Sequence, residues 1–202
     1  KEKTVFIMSG MSAVFAGVFG TPLTAAFFVL EFRLSRKIIL PAALPCFISA
    51  AIAQRVASLM GAAGETAHIE NIAGFSFHTF IGIIALALSL CVLGRVMCFC
   101  FHKAGPFAKK LIANPFLRSV IGAFIVIALT AAVGDMRYNG SGMNMAIAAI
   151  EGNAQWFDFI LKILFTSVTL AAGFKGGEIV PTFCIGATFG CVMGSILGLD
   201  SG

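Results

Sequence analysis

The chain has 202 residues, 59% of them hydrophobic, with 14 basic and 9 acidic side chains that leave a net charge of +5. Its mean hydropathy is +0.99. Soluble domains carry about 25% charged and about 45–50% apolar residues, so the composition excludes an ordinary soluble enzyme domain. It predicts an all-α, polytopic membrane protein with crossings of about 20 residues each. One transmembrane domain over residues 1–202, with no soluble domain beside it, is the expected organisation, and the chain is not expected to be an enzyme.

The positive charge does not point to nucleic acid, because the basic residues form short clusters between apolar segments without interleaved aromatic surface. Loop charge that fixes orientation in a lipid bilayer explains them better. The six cysteines all fall in apolar segments without zinc-like spacing and are expected to be small buried hydrophobes. No metal and no cofactor is expected. The opening Lys1-Glu2-Lys3 has no signal-peptide layout. The beginning without methionine, and the end just past an apolar run, read as an excerpt of a longer chain.

In chain order, Thr4 to Leu30 are 27 uncharged positions interrupted at Gly17-Val18-Phe19-Gly20-Thr21-Pro22. Proline starts helices and disrupts their interiors, so two short helices, at 4–17 and 22–36, are predicted here in place of one long span. Further spans are expected at 38–60, 79–101, 117–133 and 156–173, and a glycine-rich helix at 178–198. That makes about seven helical segments. Residues 102–116, with Gly105-Pro106 and Asn114-Pro115, read as a turn-rich connection, and 134–155 as a loop.

Arg33, Arg36 and Lys37 lie in one connection, and Lys103, Lys109, Lys110 and Arg118 in another. The intervening 61–78 loop holds Glu65 and Glu70 but neither Lys nor Arg. This alternation predicts that the basic loops, 33–37 and 103–118, are cytoplasmic. His68 and His78 in the outer loop, and His102 at a span end, are expected to be solvated. The 21 phenylalanines are expected to face lipid or pack between helices.

Residues Gly173-Phe174-Lys175-Gly176-Gly177-Glu178-Ile179-Val180-Pro181 are the most informative stretch. The two glycines expose backbone N–H groups, and the following helix presents its unpaired amides and positive dipole end. Inside a bilayer this break would make an anion site from backbone alone, without a full charge that would hold the ion too tightly. A re-entrant turn without a ligand is the alternative. Gly20-Thr21-Pro22 is a second glycine-to-proline break, and paired interruptions are a mark of mid-membrane sites in transporters.

Gly177-Glu178-Ile179-Val180-Pro181, followed by Gly186 and Gly190, resembles the Gly-x-Phe-x-Pro anion-binding segment of the CLC family of chloride channels and proton-coupled anion antiporters, with Ile179 in the Phe position. Phe19-Gly20-Thr21-Pro22-Leu23-Thr24-Ala25-Ala26-Phe27-Phe28-Val29-Leu30-Glu31 is similar to the family's Phe-Asn-x-Pro-Leu-x-Gly-x-x-Phe-x-x-Glu helix. Gly140-Ser141-Gly142 resembles the glycine-rich turn before the later half of the fold. The resemblance implies part of an inverted repeat of tilted, broken helices in a homodimer, whose interface draws on the helices near 22–36 and 38–60. It also implies a bacterial plasma membrane, and a halide anion (fluoride or chloride) and a proton as cargo. Gly177, Glu178, Ile179, Val180 and Pro181 would form the anion-binding segment, with amides of Glu178, Ile179 and Val180 lining it.

Lys175-Gly176-Gly177-Glu178 resembles the form found in the fluoride-exporting branch, and Phe32 stands where chloride/proton antiporters carry a second glutamate after the one matching Glu31. The family's Gly-Ser-Gly-Ile-Pro and Gly-Arg-Glu-Gly-Pro segments do not occur, Tyr138 does not match its late pore tyrosine, and the 202 residues alone are expected not to conduct. A carboxylate at membrane depth costs about 2.5–3.5 kcal/mol on insertion scales and is functional by default. Glu178 is therefore the foremost proton-coupling candidate, since its protonated form would not repel an anion. A first-turn acid that only stabilises its helix is the alternative. Glu31 is the second candidate, against an interfacial ion pair with Arg33. Lys162 is expected to snorkel or to pair with an acid, and Lys175 to add positive potential. Fluoride/proton antiport is the expected function, with a passive chloride channel or chloride/proton antiporter, or a non-transporting membrane scaffold, as alternatives.

Overall fold

A computed structural model describes residues 2–31, 36–62 and 76–199, with side chains absent from the description at 36–40. Arg33, Glu65, His68 and Glu70, and the side chains of Arg36 and Lys37, lie outside the described residues. Among those described, all regular structure is helical, in eight helices rather than about seven. They fall into two compact units, residues 1–68 and 69–202.

The first unit holds α1 (Glu2–Phe19), α2 (Pro22–Glu31) and α3 (Arg36–Leu59). The expected break is present. Gly20 takes φ of 70°, a left-handed conformation open to glycine, and its N–H closes α1 on the Ala16 carbonyl at 2.9 Å. Pro22 then opens α2, where a missing N–H costs nothing. Packing depends on small residues at every fourth position. Ser12 and Ala16 on α1 and Ala42, Cys46 and Ala50 on α3 are all buried, which lets the two backbones approach closely. At that approach the Ser12 hydroxyl donates to the Cys46 carbonyl at 3.0 Å, and Ser49 donates to the Ser9 carbonyl at 2.9 Å.

The second unit comprises α4 (Phe77–Leu111), α5 (Pro115–Val133), α6 (Met143–Ile150), α7 (Asp158–Ala172) and α8 (Ile179–Ile196). Two expected connections are corrected. Residues 102–111 continue α4 through Pro106, because proline removes one intrahelical donor without forcing the chain to turn. The turn comes at Asn114, whose side-chain oxygen caps α5 by accepting from Phe116 and Leu117 N–H. Within the expected 134–155 loop, Met143–Ile150 fold as a short helix whose Met145, Ala146 and Ala149 are buried.

Helix α7 packs on α4, α5 and α8, with Tyr138, Met145, Ala146, Phe165 and Cys184 forming one core and Phe101, Ile163 and Ile185 another. Five described helices are long and apolar enough to cross a membrane. Their outward phenylalanines, such as Phe80, Phe99 and Phe124, are exposed, as expected for side chains that face lipid. The cysteine expectation is only partly met: Cys46 and Cys184 are buried, but Cys91 and Cys98 lie exposed on α4, where lipid would solvate an apolar thiol without burial in protein.

Gly122 of α5 faces Ala172 of α7, and a side-chain carbon added at Gly122 would overlap the Ala172 methyl. Gly122→Val should therefore force the helices apart and destabilise the protein by about 1–3 kcal/mol. Thermal unfolding in detergent checks this, and an unchanged midpoint would mean that the contact does not fix the packing.

Candidate functional site

The site is built where α7 gives way to α8. Helix α7 ends on Gly173, at φ of 93°, and residues 174–177 run without helix to Glu178 at the N-cap of α8. The Glu178 side chain makes no capping hydrogen bond. Its carbonyl accepts from the Thr182 N–H at 3.1 Å and the Thr182 hydroxyl at 2.6 Å. The amides of Gly177, Glu178, Ile179 and Val180 meet no acceptor among the described residues. These are the orphan donors of a helix start, and they carry its positive dipole end.

This helix start borders a cavity of about 590 Å³ within the second unit. Gly176, Gly177, Val180 and Pro181 form one wall, Phe165, Thr166 and Thr169 of α7 another, and the Gly140-Ser141 turn a third. Two glycine-rich segments about 35 residues apart thus meet across one space. Of the five expected anion-site residues, Gly177, Val180 and Pro181 line the cavity. Glu178 and Ile179 follow directly in the chain without lining it, and Glu178 is exposed. Glu31 ends α2 in the first unit and is also exposed. Lys175 is exposed beside the break, and His78 and His102 are exposed as expected.

What holds the Gly140-Ser141 turn in place is polar and buried. Asp158, in the first turn of α7, is 2% exposed. Its Oδ1 accepts from the Tyr138 hydroxyl at 2.6 Å and from Arg137 Nη2 at 2.8 Å, and its Oδ2 accepts from the Gln155 N–H at 2.9 Å. Arg137 also pairs with Asp135 at 3.0 Å. One turn further along α7, Lys162 is fully buried and donates to the Tyr138 and Gly140 carbonyls, each at 2.9 Å. The expectation for Lys162 is corrected on both counts, because Asp158 is already committed to Arg137 and Tyr138, and the lysine meets carbonyls instead of water or acid. Sequence reasoning gave Tyr138 and Asp158 no role. The available signal was Asp158 and Lys162 four residues apart on an otherwise apolar helix, which puts both charges on one face.

The chain matches the family profile described as voltage gated chloride channel over residues 1–201. It is 31% identical to a chloride/fluoride channel protein of Pseudomonas syringae pv. tomato, covering all of this chain and 46% of that protein. It is 22% identical to an uncharacterized protein of Methanocaldococcus jannaschii, over 98% of this chain and 51% of the relative. Among solved structures it resembles a CLC-type fluoride/proton antiporter with a TM-score of 0.90 and 30% identity, over 98% of this chain and 50% of that one. The fold is thus that of an integral membrane protein built from broken helices. The chain belongs to the CLC family of voltage-gated chloride channels, and it spans about half the length of the relatives it matches.

Burial and the hydrogen bond to Asp158 push the Tyr138 phenol from its ordinary value of 10.0 up to about 12. Because the folded value lies above the unfolded one, the stabilisation is complete below pH 10 and is lost as pH rises towards 12. An ultraviolet difference titration of wild type against Tyr138→Phe should place phenolate formation near 12 in the folded protein. Ionisation near 10 would show the phenol to be free of Asp158.

Proposed function

We propose that the full-length protein carrying this chain transports a halide anion across a bacterial plasma membrane, by fluoride/proton antiport, and catalyses no chemical reaction. The observation that carries this reading is the set of uncommitted amides at the start of α8 beside the cavity. Backbone N–H groups and a helix dipole attract an anion with partial charges only, so the ion can enter and still leave. Strongly hydrated fluoride needs such donors to replace its water shell.

Glu178 stands at the junction between the break and α8. Ionised, it would repel an anion at the amides, whereas protonated it would not, so anion occupancy and proton carriage at this residue are linked by Coulomb repulsion. The Lys175-Gly176-Gly177-Glu178 run, and the similarity to a fluoride/proton antiporter and to a chloride/fluoride channel protein, favour fluoride as cargo. The similarity to a chloride/fluoride channel protein keeps passive conduction as the second reading. The proposal includes a homodimer that uses the surfaces of α2 and α3, with the basic segments 33–37 and 103–118 on the cytoplasmic side of the bilayer. Glu31 is the second proton-coupling candidate.

In liposomes holding the full-length protein, an imposed fluoride gradient should drive protons uphill, with fluoride favoured over chloride in parallel measurements. Glu178→Gln should abolish proton movement while the protein stays folded. Fluoride flux without proton movement in wild type would favour the passive channel, and normal stoichiometry in Glu178→Gln would remove Glu178 from the coupling. No anion flux in wild type would return the protein to the scaffold reading.

A further inference from the structure

Lys162 places its amino group in the interior of an apolar helix, with 0% exposure. Both ion pairs among the described residues belong to Arg137. The ammonium is held by carbonyls alone, those of Tyr138 and Gly140. These dipoles solvate it but do not cancel its charge. Space around it is closed: a side chain at Gly142, which sits at φ of 82°, would strike Lys162 Cε and Nζ and the Cys184 sulfur. The glycine turn is therefore shaped around the lysine.

Both carbonyls belong to residues that line the cavity, although Lys162 does not line it. The lysine stands behind the wall. A trans peptide points its C=O and N–H in opposite directions, and no cis bond is present among the described residues. With the Gly140 carbonyl drawn to Lys162, the N–H of Ser141 is directed away from the lysine, and it meets no acceptor among the described residues. The same contact thus pulls carbonyl oxygens that would repel an anion back from the wall, leaves an amide donor free in it, and places the lysine amino group behind it.

We propose that Lys162 is a positioning residue that sets the affinity of the cavity for an anion through the 138–141 turn, without touching the ion. The inference rests on the cavity being the anion site. A positive charge at the lysine, separated from the ion by a layer of backbone, strengthens binding without closing the exit.

Saturation of fluoride flux in liposomes with the full-length protein tests it, because half-saturation reports affinity while maximal flux reports the amount of working protein. Lys162→Met should raise the half-saturating fluoride concentration about tenfold. Cys184→Asp keeps the lysine and adds a carboxylate next to it. It should also raise half-saturation about tenfold, and it decides the matter alone if Lys162→Met does not fold. Lower maximal flux with unchanged half-saturation in Lys162→Met, or unchanged half-saturation in Cys184→Asp, would overturn the proposal and leave Lys162 a structural tie. Absence of saturable anion flux in wild type would instead overturn the reading of the cavity itself.

Discussion

One buried turn of α7 governs the site. Asp158 and Lys162, four residues apart on one face, both bind the segment 137–140 that closes the cavity: the acid through the Tyr138 and Arg137 side chains, the base through two backbone carbonyls. Charges this deeply buried are costly unless every polar atom they carry finds a partner. The turn supplies most of those partners, and the Gln155 N–H supplies one more. Neither the turn nor the charges could keep this arrangement alone, since a glycine-rich loop without anchors is mobile and an unsolvated charge in an apolar helix is unstable.

The division of labour between the two charges is chemical. Asp158 has four hydrogen-bond acceptor positions and uses three of them on a phenol, a guanidinium and a backbone N–H, and it shares Arg137 with Asp135. Lys162 has only donors, and it takes the carbonyls that remain. The result is a site wall whose acids, Asp135 and Asp158, are matched by Arg137 and Lys162, with the lysine one helical turn deeper. Opposite it, the first turn of α8 adds partial positive charge from free amides.

In the first unit close packing depends on small side chains, not on charge. Ser12, Ala16, Cys46 and Ala50 leave room for α1 and α3 to approach until side-chain hydroxyls reach the facing backbone. In lipid this contact energy and hydrogen bonding hold helices together, because burial from hydrocarbon into protein gives no hydrophobic gain. The outward-facing phenylalanines on the long helices are the counterpart of that rule: what would be core in a soluble protein is surface here.

Much of this was legible in the residues. The breaks at Gly20-Pro22 and Gly173-Pro181 were readable because glycine and proline act locally on the backbone, and the apolar runs set the membrane-crossing helices by length alone. The helical continuation through Pro106 was not readable, because a single proline weakens a helix without deciding whether neighbouring turns persist. Nor was α6, since eight residues with no strong cap form a helix only when tertiary packing buries one face. Which partners Asp158 and Lys162 choose depends on where a turn some 20 residues earlier comes to lie. Sequence by itself thus determined the membrane class, the breaks and the donor-rich start of α8, all of which are local properties. Only the tertiary structure decided that the Gly140-Ser141 turn faces that helix start across one cavity, with a lysine behind the wall, because long-range packing sets which buried charge meets which backbone group.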